Sequence, residues 1–230
     1  MRIVILSDIH SNLDALEAVV KTLPTYDELY CLGDIVGYGP QPNEVIEGLQ
    51  QLRPTTVLMG NHDYAVVTGD VEGFSSNAAK AVKWTRGVIS EAGLGYLAAL
   101  KPSARIERQG KTLALFHGSP RDPLTEYVFP GIPEFVVRSF VEMAAAEIVL
   151  LGHTHMPMMY RFDGSILANC GSVGQPRDGD RRASFGLLTI AQGDVTFEVQ
   201  RVEYDIGSVA GKIIRSGLPG FLADRLYIGV

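Results

Sequence analysis

Residues 2–20, which read RIVILSDIHSNLDALEAVV, hold the pattern that decides the fold. The apolar run Ile3–Leu6 is typical of a buried β-strand and stops at polar residues. Apolar residues then recur at helical spacing over residues 13–23, and Ser11 or Asn12 is placed to cap that helix. The stretch therefore predicts a strand, a short polar loop and a helix, which is the first part of a βαβ unit.

The same alternation continues along the first half of the chain. Leu29–Leu32 and Thr55–Met59 have the composition of strands, and Pro42 opens an apolar helical stripe between them. Strands that alternate with helices indicate βαβ units and a largely parallel sheet. Residues 77–100 are predicted to be helical, and the glycines at 93 and 95 are expected to interrupt that helix.

The second half predicts further strands and a change of sheet type. Strands are expected at residues 112–116, 147–151 and 165–168, with a helix over residues 134–146. Apolar and polar residues alternate strictly from residue 195 to 200, as in a half-exposed antiparallel strand. We expect an α/β fold in which residues 1–230 form a single domain, with two packed sheets and helices outside.

Composition limits the classes of protein to which this chain can belong. The 230 residues carry a net charge of −6, which does not favour a nucleic-acid partner, since such proteins usually present a basic face. The chain has no apolar run of the ~20 residues that a membrane span needs, and its opening run is too short for a signal peptide. We therefore expect a cytoplasmic protein without a membrane partner. Cys31 and Cys170 are interpreted as small buried hydrophobes rather than as a disulfide.

The five histidines all lie at or just after predicted strand ends. They are His10, His62, His117, His153 and His155. Each has a glycine, aspartate or asparagine close by. One such motif is weak evidence, because short motifs often arise by chance. Ligands bind at the carboxyl ends of strands in α/β sheets, so five histidines at these ends together predict one functional site.

The order of these motifs resembles that of the calcineurin-like metallophosphoesterase superfamily. The motifs are Asp8-x-His10, Gly33-Asp34, Gly60-Asn61-His62-Asp63, His117 and Gly152-His153-Thr154-His155. The stretches at residues 33–40 and 169–176 are similar to its small bacterial and archaeal branch. The resemblance implies two mixed β-sheets packed together, with helices on both outer faces, which gives a four-layer sandwich.

The resemblance also implies a dinuclear metal centre. One metal is expected to be held by Asp8, His10, Asp34 and His155, and the other by Asp34, Asn61, His117 and His153, so that Asp34 bridges the two. Nitrogen and oxygen ligands without sulfur suit Mn, Fe, Zn, Ni or Co as the divalent ions. Two such ions bind phosphate oxygens and lower the pKa of a bridging water, so that a bridging hydroxide attacks phosphorus.

His62 is expected to bind no metal and to act as the general acid that protonates the leaving oxygen. Asp63 has two interpretations: it orients the His62 imidazole, or it caps the segment that follows.

Three residues are candidates for binding the substrate. Tyr38 is expected either to form a wall of the site or to pack on its own helix, and Arg121 either to clamp a phosphate or to pair with Asp122. Arg177 is the third candidate, while Tyr127 is interpreted as a packing residue.

The sequence thus predicts a metal-dependent hydrolase of small phosphodiesters or nucleotides, with a small phosphorylated substrate as its partner. Some small members of the family have cysteine at the position of His62, and the histidine here favours phosphodiester cleavage. The alternatives are a phosphomonoesterase or serine/threonine protein phosphatase, and a metal-binding scaffold without catalysis. The sequence gives no indication of the oligomeric state.

Overall fold

Ten strands form the framework of the protein in the computed structural model, which describes residues 1–191 and 193–230. In chain order they are β1 (Arg2–Leu6), β2 (Glu28–Cys31), β3 (Thr56–Val57), β4 (Ser103–Arg108), β5 (Lys111–Phe116), β6 (Ile148–Leu151), β7 (Met158–Phe162), β8 (Ser165–Asn169), β9 (Ala183–Ala191) and β10 (Asp194–Val202). The predicted strand positions are confirmed, whereas β4, β7 and β9 are additional to the predicted set.

Helices connect and cover the strands. In chain order they are α1 (Leu13–Thr22), α2 (Pro42–Gln51), α3 (Asn61–Thr68), α4 (Ser76–Val88), α5 (Glu91–Ala98), α6 (Glu134–Ala144), α7 (Ile206–Arg215) and α8 (Phe221–Asp224), followed by a 3-10 helix over Arg225–Tyr227. Among the described residues, no helix combines the length and the apolar character needed to cross a bilayer.

The strands form two mixed five-stranded sheets. The first has the order β10-β9-β1-β2-β3, and the second has the order β4-β5-β6-β8-β7. The strands β1, β2 and β3 are parallel, as the βαβ pattern predicts, and so are β5, β6 and β8. Antiparallel pairing occurs where β9 joins β1 and at the outer strands.

Alternation along the strands builds the layers of the sandwich. In β1, Ile3 and Ile5 join the apolar core between the two sheets, while Val4 and Leu6 join the core beneath α1 and α2. The outer face of the second sheet is covered by α6 through a third apolar cluster. The expected architecture of two packed sheets with helices on both outer faces is confirmed.

The helical segment at residues 77–100 differs from its prediction. It is interrupted at Ile89 and Ser90, and Gly93 lies inside α5. The Ser90 hydroxyl accepts a hydrogen bond from the Gly93 N–H at 3.0 Å, so Ser90 caps α5. Gly93 packs closely there, since a Cβ at this position would lie 3.1 Å from Ile89 and 3.2 Å from Ile46. Local capping therefore overrides the low helix propensity of glycine.

Candidate metal centre

The seven predicted metal ligands lie together at the carboxyl ends of strands from both sheets. Two groups form, namely Asp8, His10, Asp34 and His155, and Asp34, His117 and His153, and in each group the ligand atoms lie within 4.8 Å of one another. Asp34 belongs to both groups. This division matches the one that the family resemblance implies, and Asn61 adjoins the second group through His117.

In the first group, the Nε2 atoms of His10 and His155 lie close together, and each carries a lone pair. Their Nε2 atoms are 3.0 Å apart. The Nδ1 of His10 donates to the Val36 carbonyl at 3.1 Å, and the Nδ1 of His155 donates to the Gln175 carbonyl at 2.6 Å. Burial lowers the pKa of both rings well below the usual value, so both are neutral and each Nε2 carries a lone pair. Two lone pairs at this distance repel each other unless a cation lies between them.

Asp8 completes this group with an oxygen that has no partner. Its Oδ2 accepts hydrogen bonds from the Ser7 hydroxyl at 2.6 Å and from the His153 N–H at 3.2 Å. Among the described groups its Oδ1 has no hydrogen-bond donor, although it is fully buried and lies 3.4 Å from Nε2 of His155. A buried carboxylate oxygen without a donor is strongly unfavourable, and a metal ion held by this group would supply the missing contact.

Asp34 lies between the two groups. Its Oδ1 accepts a hydrogen bond from the His62 N–H at 2.8 Å, which leaves Oδ2 buried without a donor in the described part of the chain. That Oδ2 is 3.5 Å from Nε2 of both His10 and His117. An oxygen placed equally between two histidine groups has the position of a bridging ligand.

The second group repeats the arrangement of the first. The Nδ1 of His117 donates to the Leu32 carbonyl at 2.8 Å, and its Nε2 lies 3.1 Å from Oδ1 of Asn61. The Nε2 of His153 donates to the Thr125 carbonyl at 3.0 Å, which leaves Nδ1 as its lone pair. Metal-binding histidines usually donate their other ring N–H in this way.

The pKa of His117 shows how strongly this ring and the charge of Asp34 interact. Burial alone would lower this pKa, but the negative charge of Asp34, whose Oδ2 is 3.5 Å from Nε2 of His117, raises the pKa to about 9. A proton on His117 therefore balances Asp34 when no metal is bound, and a metal ion would displace it.

The loops that carry the ligands have an unusual backbone. Left-handed conformations with φ between 50° and 68° occur at five of the seven predicted ligands, namely Asp8, His10, Asp34, His153 and His155. Gly60 lets the loops approach, because a Cβ there would lie 2.0 Å from Oδ1 of Asp34. The unpartnered oxygens, facing lone pairs and mixed nitrogen and oxygen donors together fit two divalent cations.

His62 lies beside this centre without joining it. It is the second residue of α3, and its ring centroid is 4.9 Å from that of His10 and 4.8 Å from that of Phe74. Burial lowers the pKa of His62 to about 4, so the ring is neutral. Its Nδ1 is buried without a hydrogen-bond partner among the described groups.

The Asp63 carboxylate contacts backbone N–H groups, and among the described groups it makes no hydrogen bond to the His62 ring. Its two carboxylate oxygens accept hydrogen bonds from three backbone N–H groups, those of Ile35 at 3.2 Å, Val36 at 3.0 Å and Gly60 at 3.0 Å. Consecutive residues of a helix point in different directions, so Asp63 turns away from the imidazole. The structure favours the capping interpretation of Asp63.

A cleft of about 540 Å³ opens over the metal centre. Tyr38 lines it, with its ring centroid 4.6 Å from that of His10 and 4.3 Å from that of His62. Arg177 also lines the cleft and donates to the Tyr38 hydroxyl at 3.2 Å and to Oε1 of Gln175 at 3.0 Å. Both candidate residues therefore reach the site.

Arg121 does not line this cleft. Its guanidinium pairs with Glu126, lies over the ring of Phe140 in α6, and is 62% exposed. Asp122, the pairing partner considered from the sequence, instead accepts a hydrogen bond from the Leu124 N–H at 3.1 Å and caps its own turn. The structure thus gives no support to the phosphate-clamp interpretation of Arg121, which stays a prediction, because the guanidinium pairs with a carboxylate of its own loop.

Several residues of the cleft were not assigned to the site from the sequence, and three of them bear on its chemistry. Tyr127 stacks on His153 with ring centroids 3.8 Å apart and also lines the cleft, while Thr125 orients His153 through its carbonyl. Arg225 reaches the cleft from the C-terminal 3-10 helix. Tyr127 and Thr125 follow His117 on one loop, which is a usable signal, whereas no motif surrounds Arg225.

Comparisons with known proteins agree with this geometry. Residues 1–193 match the calcineurin-like phosphoesterase superfamily domain. A metallophosphoesterase from Sphaerobacter thermophilus is 35% identical, with a TM-score of 0.86 over 100% of this chain and 99% of that one. An uncharacterised protein of Methanocaldococcus jannaschii is also 35% identical, over 99% of this chain and 98% of its own length. A hypothetical protein from Pyrococcus horikoshii is 23% identical and shares the fold, with a TM-score of 0.90 over 100% of this chain and 98% of its own.

Proposed function

This chain belongs to the calcineurin-like phosphoesterase superfamily, and from that premise and the geometry of its site we propose that it hydrolyses small phosphodiesters or nucleotides with two divalent transition-metal ions. The observation that carries the proposal is the position of Asp34. Its unpartnered Oδ2 is 3.5 Å from a histidine nitrogen of each group. A single cation site would not need a shared carboxylate between two sets of imidazoles.

Each predicted ligand would belong to one of two metal sites, and Asp34 to both. Asp8, His10, Asp34 and His155 would hold one ion, and Asp34, Asn61, His117 and His153 would hold the other. Two ions bound there would supply Lewis acidity toward phosphate oxygens and a water molecule of lowered pKa. The carbonyls of Val36, Gln175, Leu32 and Thr125 fix the ring orientations of the four histidines.

His62 supplies the proton that the leaving oxygen needs. Its ring lines the cleft beside the predicted metal ligands. Its Nδ1 has no hydrogen-bond partner among the described groups. The pKa of about 4 belongs to the buried ring without substrate. The negative charge of a bound phosphoester raises the pKa of a nearby imidazole, which favours the protonated form when the substrate is in place.

The size of the cleft favours small substrates over proteins. Its volume of about 540 Å³ falls within the ~300–1,000 Å³ that is usual for small-molecule sites. A protein phosphatase would be expected to present an open groove instead. A scaffold without catalysis would not need His62 in the cleft beside a complete set of ligands, and this retention favours an enzyme.

The test combines metal analysis with a leaving-group series. We expect purified protein to carry about two transition-metal ions per chain, and EDTA to abolish hydrolysis of bis-p-nitrophenyl phosphate. His62→Ala should keep both metals and lose turnover, with the largest loss on esters of poorly acidic alcohols. His117→Ala is the contrasting variant, since it should lose metal and activity together.

Two results would contradict the proposal. Full activity in metal-free protein would remove the dinuclear mechanism. A dependence of rate on leaving-group pKa that is the same in His62→Ala and in the wild type would remove His62 from the acid role.

A further inference from the structure

Two half-exposed aromatic rings lie side by side next to the cleft. Tyr127 is 49% exposed and Phe129 is 48% exposed. Their ring planes are 3° from parallel, with centroids 5.5 Å apart. Tyr127 lines the cleft, and Phe129 extends the same stack beyond the lining residues. Single exposed apolar residues are ordinary, whereas two parallel rings beside a cleft form a flat apolar surface of the kind that ligands contact.

The segment that carries the two rings is held in place on both sides. Val128, which lies between them in the sequence, is buried in the apolar cluster beneath α6. Before the rings, the Thr125 carbonyl accepts a hydrogen bond from Nε2 of His153 at 3.0 Å. After them, the Gly131 N–H donates to the Tyr160 hydroxyl at 2.8 Å. Rings held in this way before a ligand arrives lose little conformational freedom when it binds, which favours affinity.

The stack of rings begins at a predicted metal ligand. Tyr127 packs on His153 with ring centroids 3.8 Å apart and ring planes 27° apart. His153 belongs to the second of the two ligand groups. Among the described aromatic rings, Phe129 pairs with Tyr127 alone. Packing on His153 explains the position of Tyr127, but it does not explain why a second parallel ring stands half exposed beside it.

A nucleobase has the chemistry that this surface suits. The two rings are flat and uncharged, so they complement a flat, neutral part of a substrate, while the metal centre complements its phosphate. Stacking of bases on aromatic side chains tolerates any base, because every base has a π-face. The rings would therefore recognise the presence of a base rather than its identity.

We propose that Tyr127 and Phe129 form a stacking platform for the nucleobase of a nucleotide substrate whose phosphate is held at the metal centre. The inference rests on the proposed function and narrows its substrate class from small phosphodiesters in general to nucleotide esters. Tyr127 and Phe129 are then specificity-determining residues of the loop that follows His117. Each acts through the flat face of its ring, so an apolar side chain without such a face does not replace it.

A matched pair of ligands that cannot be hydrolysed tests the platform. One is the phosphonate analogue of adenosine 5′-phosphate, in which a methylene group replaces the ester oxygen, and the other is the same molecule with hydrogen in place of adenine. We expect the metal-loaded wild type to bind the adenine-containing ligand at least about fivefold more tightly, which is the lower end of what base stacking on an aromatic side chain contributes. Titration calorimetry measures both dissociation constants without any turnover.

Four variants separate stacking from general apolar contact. Phe129→Leu and Tyr127→Leu keep apolar bulk but lose the flat face, and each should reduce the preference for the adenine-containing ligand to about twofold or less. Tyr127→Phe keeps the ring and should keep the preference. Phe135→Leu is the matched control, because Phe135 lies on α6, outside the cleft, and is 74% exposed. Thermal unfolding of each variant shows whether it is folded.

The outcomes distinguish the inference from the proposed function. Equal affinities of the wild type for the two phosphonates, no binding of the adenine-containing one, or a preference that survives in either folded leucine variant of the platform would overturn the platform. Hydrolysis of bis-p-nitrophenyl phosphate would still support the phosphoesterase in each of these cases. If that ester is not hydrolysed but the preference for adenine is present and is lost in Phe129→Leu and Tyr127→Leu, the proposed function fails and the platform stands as a nucleotide-binding surface.

Discussion

Replacing Asp63 by asparagine decides between its two interpretations. The carboxylate is fully buried, with Oδ1 accepting from the Val36 N–H and Oδ2 accepting from the N–H groups of Ile35 and Gly60. Asparagine has one acceptor oxygen, so its amide group must face at least one of these donors. Asp63→Asn therefore leaves a buried backbone N–H unsatisfied.

The loss of stability follows from the number of N–H groups that lose their acceptor. One unsatisfied buried amide costs about 1–3 kcal/mol, and the two remaining hydrogen bonds lose their charge assistance. Burial raises the pKa of Asp63, which shows that the charged form is disfavoured, and removing the charge returns part of the loss. We expect a net destabilisation of about 2–3 kcal/mol, or a fall in Tm of about 4–12 °C for a chain of this length.

Asp63→Asn should also disturb the metal centre, through the loop that carries Val36. The carbonyl of Val36 accepts the hydrogen bond that orients His10, so a displaced Val36 shifts a predicted metal ligand. We expect lower metal affinity and a loss of kcat/KM that is equal for good and poor leaving groups. Asp205→Asn is the matched control, because Asp205 caps α7 from an exposed position and asparagine caps a helix about as well.

The measurements are thermal unfolding of both variants and the leaving-group dependence of their turnover. A Tm for Asp63→Asn within about 1 °C of the wild type, with a rate loss concentrated on poor leaving groups, would refute this reasoning and make Asp63 the partner of His62.

Three further results are expected. Metal binding at about pH 8, above the pKa of about 7 to which burial raises Asp8 and below the pKa of about 9 of His117, should release about one proton from His117, and the release should disappear well above the pKa of His117; titration calorimetry in buffers of different ionisation enthalpy measures it. Gly60→Ala should weaken metal binding by about 10–100-fold because its Cβ displaces Asp34, whereas Gly87→Ala, which meets no atom within 4 Å, should not, and equal affinities would contradict the close approach. Arg121→Gln should leave KM within about twofold of the wild type, since Arg121 lies outside the cleft; a tenfold rise would restore it to the site.

The periodicity of apolar residues in the sequence predicted those strands and helices that are buried on one face or on both. The run at β1 and the stripe of α1 are unambiguous because burial dictates each of their positions. The helix α3 shows no such stripe, since it begins at the ligand Asn61 and its first three residues are all buried by the site. The edge strand β4 has a mostly half-exposed pattern and little apolar residue content, so its pairing with β5 is a tertiary effect.

The clustering of the predicted metal ligands could be foreseen because each one directly follows a buried strand or a short loop after it. The sequence could not show which group each of the other side chains contacts in the folded protein. Arg225 lies far beyond the last motif, and its place in the cleft depends on how α7 and α8 pack against α4 through their own apolar cluster. Arg121 and Arg177 look alike in sequence, and they differ only because Glu126 is within reach of the first.

The conformational strain in the ligand loops explains why the site is built between two sheets. Each non-glycine residue in the left-handed region costs roughly 1–2 kcal/mol, and five of the seven predicted ligands are in that region. Together these amount to about 5–10 kcal/mol, which is comparable to the whole net stability of an ordinary domain. Unpartnered oxygens on Asp8 and Asp34 add to the strain. Such loops can persist only where surrounding groups over-determine them, as when the His117 ring of one sheet donates to the Leu32 carbonyl of the other. The two-sheet core therefore does more than bring the predicted ligands together, because it holds their loops in a strained conformation that metal ions, once bound, would make more favourable.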